Sequence, residues 1–69
     1  MATLKELRLE AQLSVNRLAQ LAQVDRQTID RAESGNAVQD VKAYKIVQTL
    51  AQELGRKIDL KDVEGLNIL

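Results

Sequence analysis

Between Ser14 and Gly35 the chain reads SVNRLAQLAQVDRQTIDRAESG, and this stretch limits the fold more than any other. Leu18, Ala19 and Ala22 recur at the spacing of one helical face, and Ile29 and Ala32 do the same further on. Val24 lies between the two sets, where it can plug a junction. The pattern predicts two short helices joined by a tight turn. Ala19 suits a steep crossing, because a small side chain lets two backbones approach. Arg26, Gln27, Thr28, Asp30 and Arg31 are then expected to face outward from the second helix.

A chain of 69 residues is expected to form one small domain over 1–69. A domain of this size buries only about 60% of the surface exposed by its unfolded chain. With 0 cysteines and 0 histidines, disulfides are excluded and the commonest metal ligands and general base are missing. Helix packing, with or without dimerisation, must supply the stability. No cofactor, metal set, glycine-rich phosphate loop or nucleophile–base pair is visible, so catalysis is not expected. Nor is there a signal peptide or a long apolar run, and the expected location is the cytoplasm, without a membrane. With 0 prolines and helix formers throughout, the composition predicts an all-α fold.

Thr3 and Glu6 form the pattern of a capping box, opening a first helix from about Leu4 to Ala11 with Leu4, Leu7 and Ala11 on one face. Leu13 can cover its end. Ser14 caps the second helix and Asp25 the third, its carboxylate accepting from the Gln27 or Thr28 amide. Gln23 falls in the turn, where a left-handed residue is wanted, at a cost of about 1–2 kcal/mol. Gly35 suits the end of the third helix. A loop over 36–39 leads to a fourth helix from about Asp40 to Leu54, with Ala43, Ile46, Val47, Leu50 and Leu54 as its stripe. Tyr44 reads as a partly buried edge residue. A fifth short helix is expected after Asp59, burying Leu60 and Val63 and ending at Gly65. The tail, Leu66 to Leu69, is apolar and must find cover on its own chain or on a second copy. Leu66 and Ile68 alternate around Asn67, which also allows a short strand that pairs across a two-fold axis.

From Leu18 to Gly35 the chain matches L-A-x-x-A-x-V-D-x-x-T-I-x-x-x-E-x-G. This string resembles the helix-turn-helix of the lambda-repressor-like (Cro/xenobiotic-response-element type) family, and the resemblance extends over nearly the whole chain. It implies a compact five-helix domain whose helix-turn-helix spans 15–33 and whose third helix enters the DNA major groove. It also implies an ion pair between Arg8 and Glu33. One departure is Val15, where relatives often carry a phosphate-holding glutamine.

On that docking geometry, the base contacts are expected from Arg26, Gln27, Thr28 and Arg31. Arginine forks onto guanine O6 and N7, and glutamine onto adenine N6 and N7. Phosphate contacts are expected from Ser14, Asn16, Arg17 and Asn36. Asp30 opposes the duplex unless it accepts from a cytosine amine or pairs with Arg26 or Arg31. Basic and acidic residues balance at 10 each, which counts mildly against nucleic-acid binding. The loop over 36–39 carries less lysine and arginine than relatives usually place there, so a shallow salt dependence is expected. The first functional expectation is a sequence-specific DNA-binding regulator of prokaryotic or phage type. It would act as a homodimer through the fifth helix and tail, from 59 to 69. The second is a protein-interaction module on the same fold, antitoxin-like or coactivator-like, with a protein partner. A structural domain cut from something larger is disfavoured by Met1 and the compact ending.

Overall fold

A computed structural model describes residues 2–69. The order is β1 (Ala2–Thr3), α1 (Leu4–Glu10), α2 (Val15–Ala22), α3 (Arg26–Glu33), β2 (Ala37–Val38) and α4 (Asp40–Leu54), then a 3-10 turn (Leu60–Asp62), β3 (Val63–Glu64) and β4 (Asn67–Ile68). Thr3 Oγ1 accepts from the Glu6 amide at 3.2 Å, and Glu6 Oε1 accepts from the Thr3 amide at 2.8 Å, so the capping box at α1 is closed. Ser14 Oγ accepts from the Arg17 amide at 3.0 Å and caps α2.

Each helix ends on one residue in the left-handed region. These are Gln12 (φ 59), Gln23 (φ 59), Gly35 (φ 84) and Gly55 (φ 68). After each, the next amide donates to the carbonyl five residues back: Leu13 to Arg8, Val24 to Ala19, Asn36 to Arg31 and Arg56 to Ala51. This 6→1 closure satisfies carbonyls that the helix leaves open and reverses the chain within two residues. Gln12 is a left-handed position that the sequence did not betray.

The core is assembled from these short helices. Leu18, Ile29, Ile46, Leu50 and Val47 are its largest fully buried side chains. Ala19, Ala22 and Ala32 are buried too, so α2 and α3 meet through small residues. α4 packs along α2 and buries Ala43 and Ala51 beside its larger stripe residues. Val38 and Ile58, which read as loop and connector in sequence, are also buried in this core.

The fold is mostly helical as expected, but the count of five helices requires correction. Four α-helices are present among the described residues, and the segment expected as a fifth forms only a three-residue 3-10 turn. Val63 turns extended (φ −96, ψ 113) instead of continuing it. It does so because β3 pairs in parallel with β1, Ala2 opposite Val63 and Thr3 opposite Glu64, which buries Val63. The 36–39 loop is corrected in the same way, while the tail takes one of the two covers expected for it, its own chain, as a short strand. β2 pairs in parallel with β4, and the Leu69 amide donates to the Val38 carbonyl at 2.9 Å. The tail thus finds a partner within its own chain, Leu66 packing against the core while Leu69 stays exposed. Tyr44 is exposed rather than partly buried.

Two ion pairs tie distant segments. Arg8 Nε donates to Glu33 Oε2 at 2.6 Å and its Nη2 to Oε1 at 3.2 Å, with the two side chains only 10% and 12% exposed. Arg8 Nη1 also donates to the Leu13 carbonyl at 3.0 Å. The hydrogen bonds that Arg8 donates to the Glu33 carboxylate raise the Arg8 pKa further, so this charge is permanent. At the surface, Arg56 donates to both carboxylate oxygens of Glu10 at 2.6 and 3.0 Å, joining the segment after α4 to the last residue of α1.

Arg8→Ala and Glu33→Ala should each destabilise the domain by about 3–5 kcal/mol, because each strands a mostly buried charge. Arg8→Met combined with Glu33→Leu should cost much less than the sum of the single losses, as measured by urea unfolding. The Glu10 prediction concerns pH. The Arg56 hydrogen bonds hold its carboxyl below the usual carboxylate range. Its stabilising effect is therefore present above the unfolded value of about 4.3 and is lost as pH falls through the folded one. The melting temperature of wild type should exceed that of Glu10→Gln at neutral pH, and the difference should vanish in acid.

Candidate nucleic-acid interface

The exposed start of α3 is positioned from beneath. Thr28, Ile29 and Ala32 are the buried side of this helix, and Ile29 and Ala32 share one core with Leu18, Ala19 and Ala22 of α2. Arg26, Gln27, Asp30 and Arg31 are left exposed. The turn between the helices needs only Gln23 in the left-handed region, while Val24 packs on the core. Two helices, one reversal and one exposed polar face result.

The expected site residues divide into three groups. Arg26 and Gln27 lie in the first turn of α3, both exposed. Arg26 Nε stands 3.8 Å from Asp30 Oδ2, an exposed pair one helical turn apart that screens the Asp30 carboxylate. Arg31 Nη2 donates to the Ala37 carbonyl at 3.2 Å, so this guanidinium also pins β2 against α3. Ser14, Asn16 and Arg17 gather at the N-terminus of α2. The Ser14 hydroxyl is engaged in its cap. Arg17 Nη1 makes only a long contact, 3.4 Å, to Gln20 on the same helix. Val15 is half-buried and packs on the core, which explains an apolar residue at that position. Asn36 is exposed at the reversal after α3, its amide closing that helix.

Two expectations are corrected by the geometry. Thr28 is 8% exposed and belongs to the packed side of α3, not to its outward face. The position two residues after Arg26 rotates inward, and the Thr28 amide donates to the Asp25 carbonyl at 3.0 Å. Asp25, for its part, makes no side-chain cap. The backbone carbonyl closes that turn, and the carboxylate is left facing a groove.

That groove runs between α3 and the start of α4. Gln27, Thr28 and Arg31 form one wall, and Gln39, Lys42 and Leu69 contribute to the other. Gln39 and Lys42 were not anticipated. A faint signal existed for Lys42: a cation in the first turn of a helix opposes the helix dipole, so it serves the helix poorly. The groove thus joins the α3 face to a lysine from a separate element and to the end of the tail.

Residues 2–60 match the family described as a helix-turn-helix domain. The chain belongs to that family. The matched span covers all four α-helices of the helix-turn-helix domain and agrees with a lambda-repressor-like membership. Neither the curated proteins nor the solved structures compared with this helix-turn-helix domain show a match. No group of three or more histidine, cysteine, aspartate or glutamate side chains among the described residues can hold a metal. No helix among them is long and apolar enough to cross a membrane.

Gln23 makes the turn of the helix-turn-helix domain testable. Gln23→Gly should stabilise the fold by up to about 1 kcal/mol, since glycine avoids the left-handed penalty. A rise in the midpoint of urea unfolding with no change in slope is the expected reading.

Proposed function

We propose that this helix-turn-helix domain is a sequence-specific DNA-binding regulator of prokaryotic or phage type that presents α3 to the major groove. The observation carrying this reading is the exposed first turn of α3, with Arg26 and Gln27 exposed on a helix whose opposite side is locked in the core. Arg26 and Gln27 read base edges, and Arg31 reaches the edge of the groove. Asn16, Arg17, Asn36 and Lys42 contact phosphates. Thr28 contributes at most its small exposed edge.

The reading includes a homodimer. The Cα trace extends 27 × 23 × 18 Å, while half-sites one helical turn apart are separated by about 34 Å. One copy therefore reaches one half-site, and two copies read a palindrome. The expected contact through a fifth helix and the tail is weakened by the fold, since that helix is a single turn and the tail is paired to β2. The chain works in the cytoplasm, without cofactor or catalysis. A second reading, a protein-interaction module, is favoured by the exposure of Val41, Tyr44 and Leu69.

Selection from random duplexes should return a sequence preference. Arg26→Ala and Gln27→Ala should each lose about 1–3 kcal/mol of discrimination at one base position while leaving the fold intact. Affinity for the selected site should fall gently with salt, because few phosphates are neutralised per copy. Absence of any preference, or a preference untouched in both variants, would overturn the reading in favour of the protein-interaction module.

A further inference from the structure

Among the described residues of the exposed α3 face, only Arg31 has its side chain bonded to another element. Arg26 faces Asp30 within α3 at 3.8 Å, whereas Arg31 Nη2 donates to the Ala37 carbonyl of β2 at 3.2 Å. Water competes for both partners of that exposed bond, so it fixes the guanidinium only as well as the carbonyl itself is fixed. One of five guanidinium donors is spent in this way, and the others stay available to a base edge.

The carbonyl is fixed by the tail. β2 has only two residues, and its hydrogen-bonded neighbour is β4, with Ala37 opposite Asn67 and Val38 opposite Ile68. The Leu69 amide closes the pairing on the Val38 carbonyl at 2.9 Å. So short a strand keeps its place through its partner and through the buried Val38 side chain. β4 is itself tethered. Val63 is buried where β3 pairs with β1, and Leu66 packs on the core just before Asn67. Leu69 lines the same groove as Gln27 and Arg31, so the arm runs up to the residues offered to a duplex.

We infer that β4 is a positioning element for Arg31: paired with β2, it holds the Ala37 carbonyl that aims the guanidinium along the edge of α3. The tail touches no base and acts through Arg31. An arginine already held in one direction loses less freedom on meeting a guanine edge. The pairing therefore sharpens preference at one base position instead of raising affinity everywhere. This consequence rests on the DNA-facing reading of α3, but the positioning itself is measured without DNA.

Leu69→Pro removes the amide that donates to Val38 and leaves an apolar side chain in the groove. It also favours an extended Ile68, the conformation already present in β4. Leu69 is 80% exposed, so the helical circular dichroism should be unchanged. In nitrogen relaxation of the full chain without DNA, the Nε–H of Arg31 should be rigid in wild type. In Leu69→Pro it should become as mobile as that of Arg17, whose guanidinium makes only a long contact on its own helix. Ile68→Gly, which loosens β4 but keeps the donor, should act in the same direction and less strongly. On selected duplexes, Leu69→Pro should lose about two- to ten-fold of preference at the base position that Arg31→Ala abolishes. The positions assigned by Arg26→Ala and Gln27→Ala should keep theirs. Leu69→Pro combined with Arg31→Ala should be no worse than Arg31→Ala alone. An Arg31 Nε–H as mobile in wild type as that of Arg17, or unmoved in both tail variants, overturns the proposal. So does a loss spread evenly over all base positions or one that adds to Arg31→Ala, because a tail that merely supports the fold gives that result. A rigid Arg31 released by Leu69→Pro, in a chain without base preference, supports the positioning and sinks the regulator reading alone.

Discussion

Glu33 sits at the last turn of α3, where a negative charge opposes the helix dipole, and it is largely shielded from water. Both conditions are unfavourable until Arg8 arrives. The guanidinium meets the carboxylate with two hydrogen bonds and spends a third donor on the Leu13 carbonyl. That one side chain therefore joins α1, the reversal after α1 and the end of α3. A mostly buried pair adds little net stability over a well-packed apolar pair, but it tolerates little rearrangement. Its contribution is geometric: α3 cannot rotate or slide without exposing an unpaired charge.

Short helices are the second constraint, and the left-handed residues create them. Four 6→1 closures stop four helices at lengths of seven, eight, eight and fifteen residues. The three short ones are too brief to be stable alone. They persist because each places its apolar residues on α4 or on one another, with alanines letting the backbones come close. The same brevity leaves the first turn of α3 projecting, since neither α2 nor α4 extends far enough to cover it.

Much of this was legible from residue order. The bounds of α4, the α1 capping box, the Ser14 cap and the left-handed Gln23 follow from local rules acting on neighbours three or four residues apart. The exposure of Arg26 and Gln27 follows from the same spacing. Thr28 was misread because polarity suggested exposure, whereas the fold buries that position in the groove between α3 and the start of α4. Asp25 was misread because a backbone carbonyl took the role expected of its side chain. Lys42 and Gln39 join the groove only through the fold, as nothing local ties them to α3. The Arg56–Glu10 pair spans residues far apart in sequence and had no local signature.

What the amino-acid sequence by itself determined is where α2, α3 and α4 start and stop, where α1 starts, and which side of each is apolar. Those features depend on interactions within a turn or two, so the order of residues is enough. Tertiary structure alone decided the fate of the two ends. A three-residue turn and a pair of two-residue strands have too little local preference to exist alone. Val63 extends because Ala2 offers it a parallel partner, and the tail folds onto β2 because Val38 presents a free carbonyl. Such pairings are set by which segments the packed helices bring within reach, and that proximity is invisible until the helices are assembled.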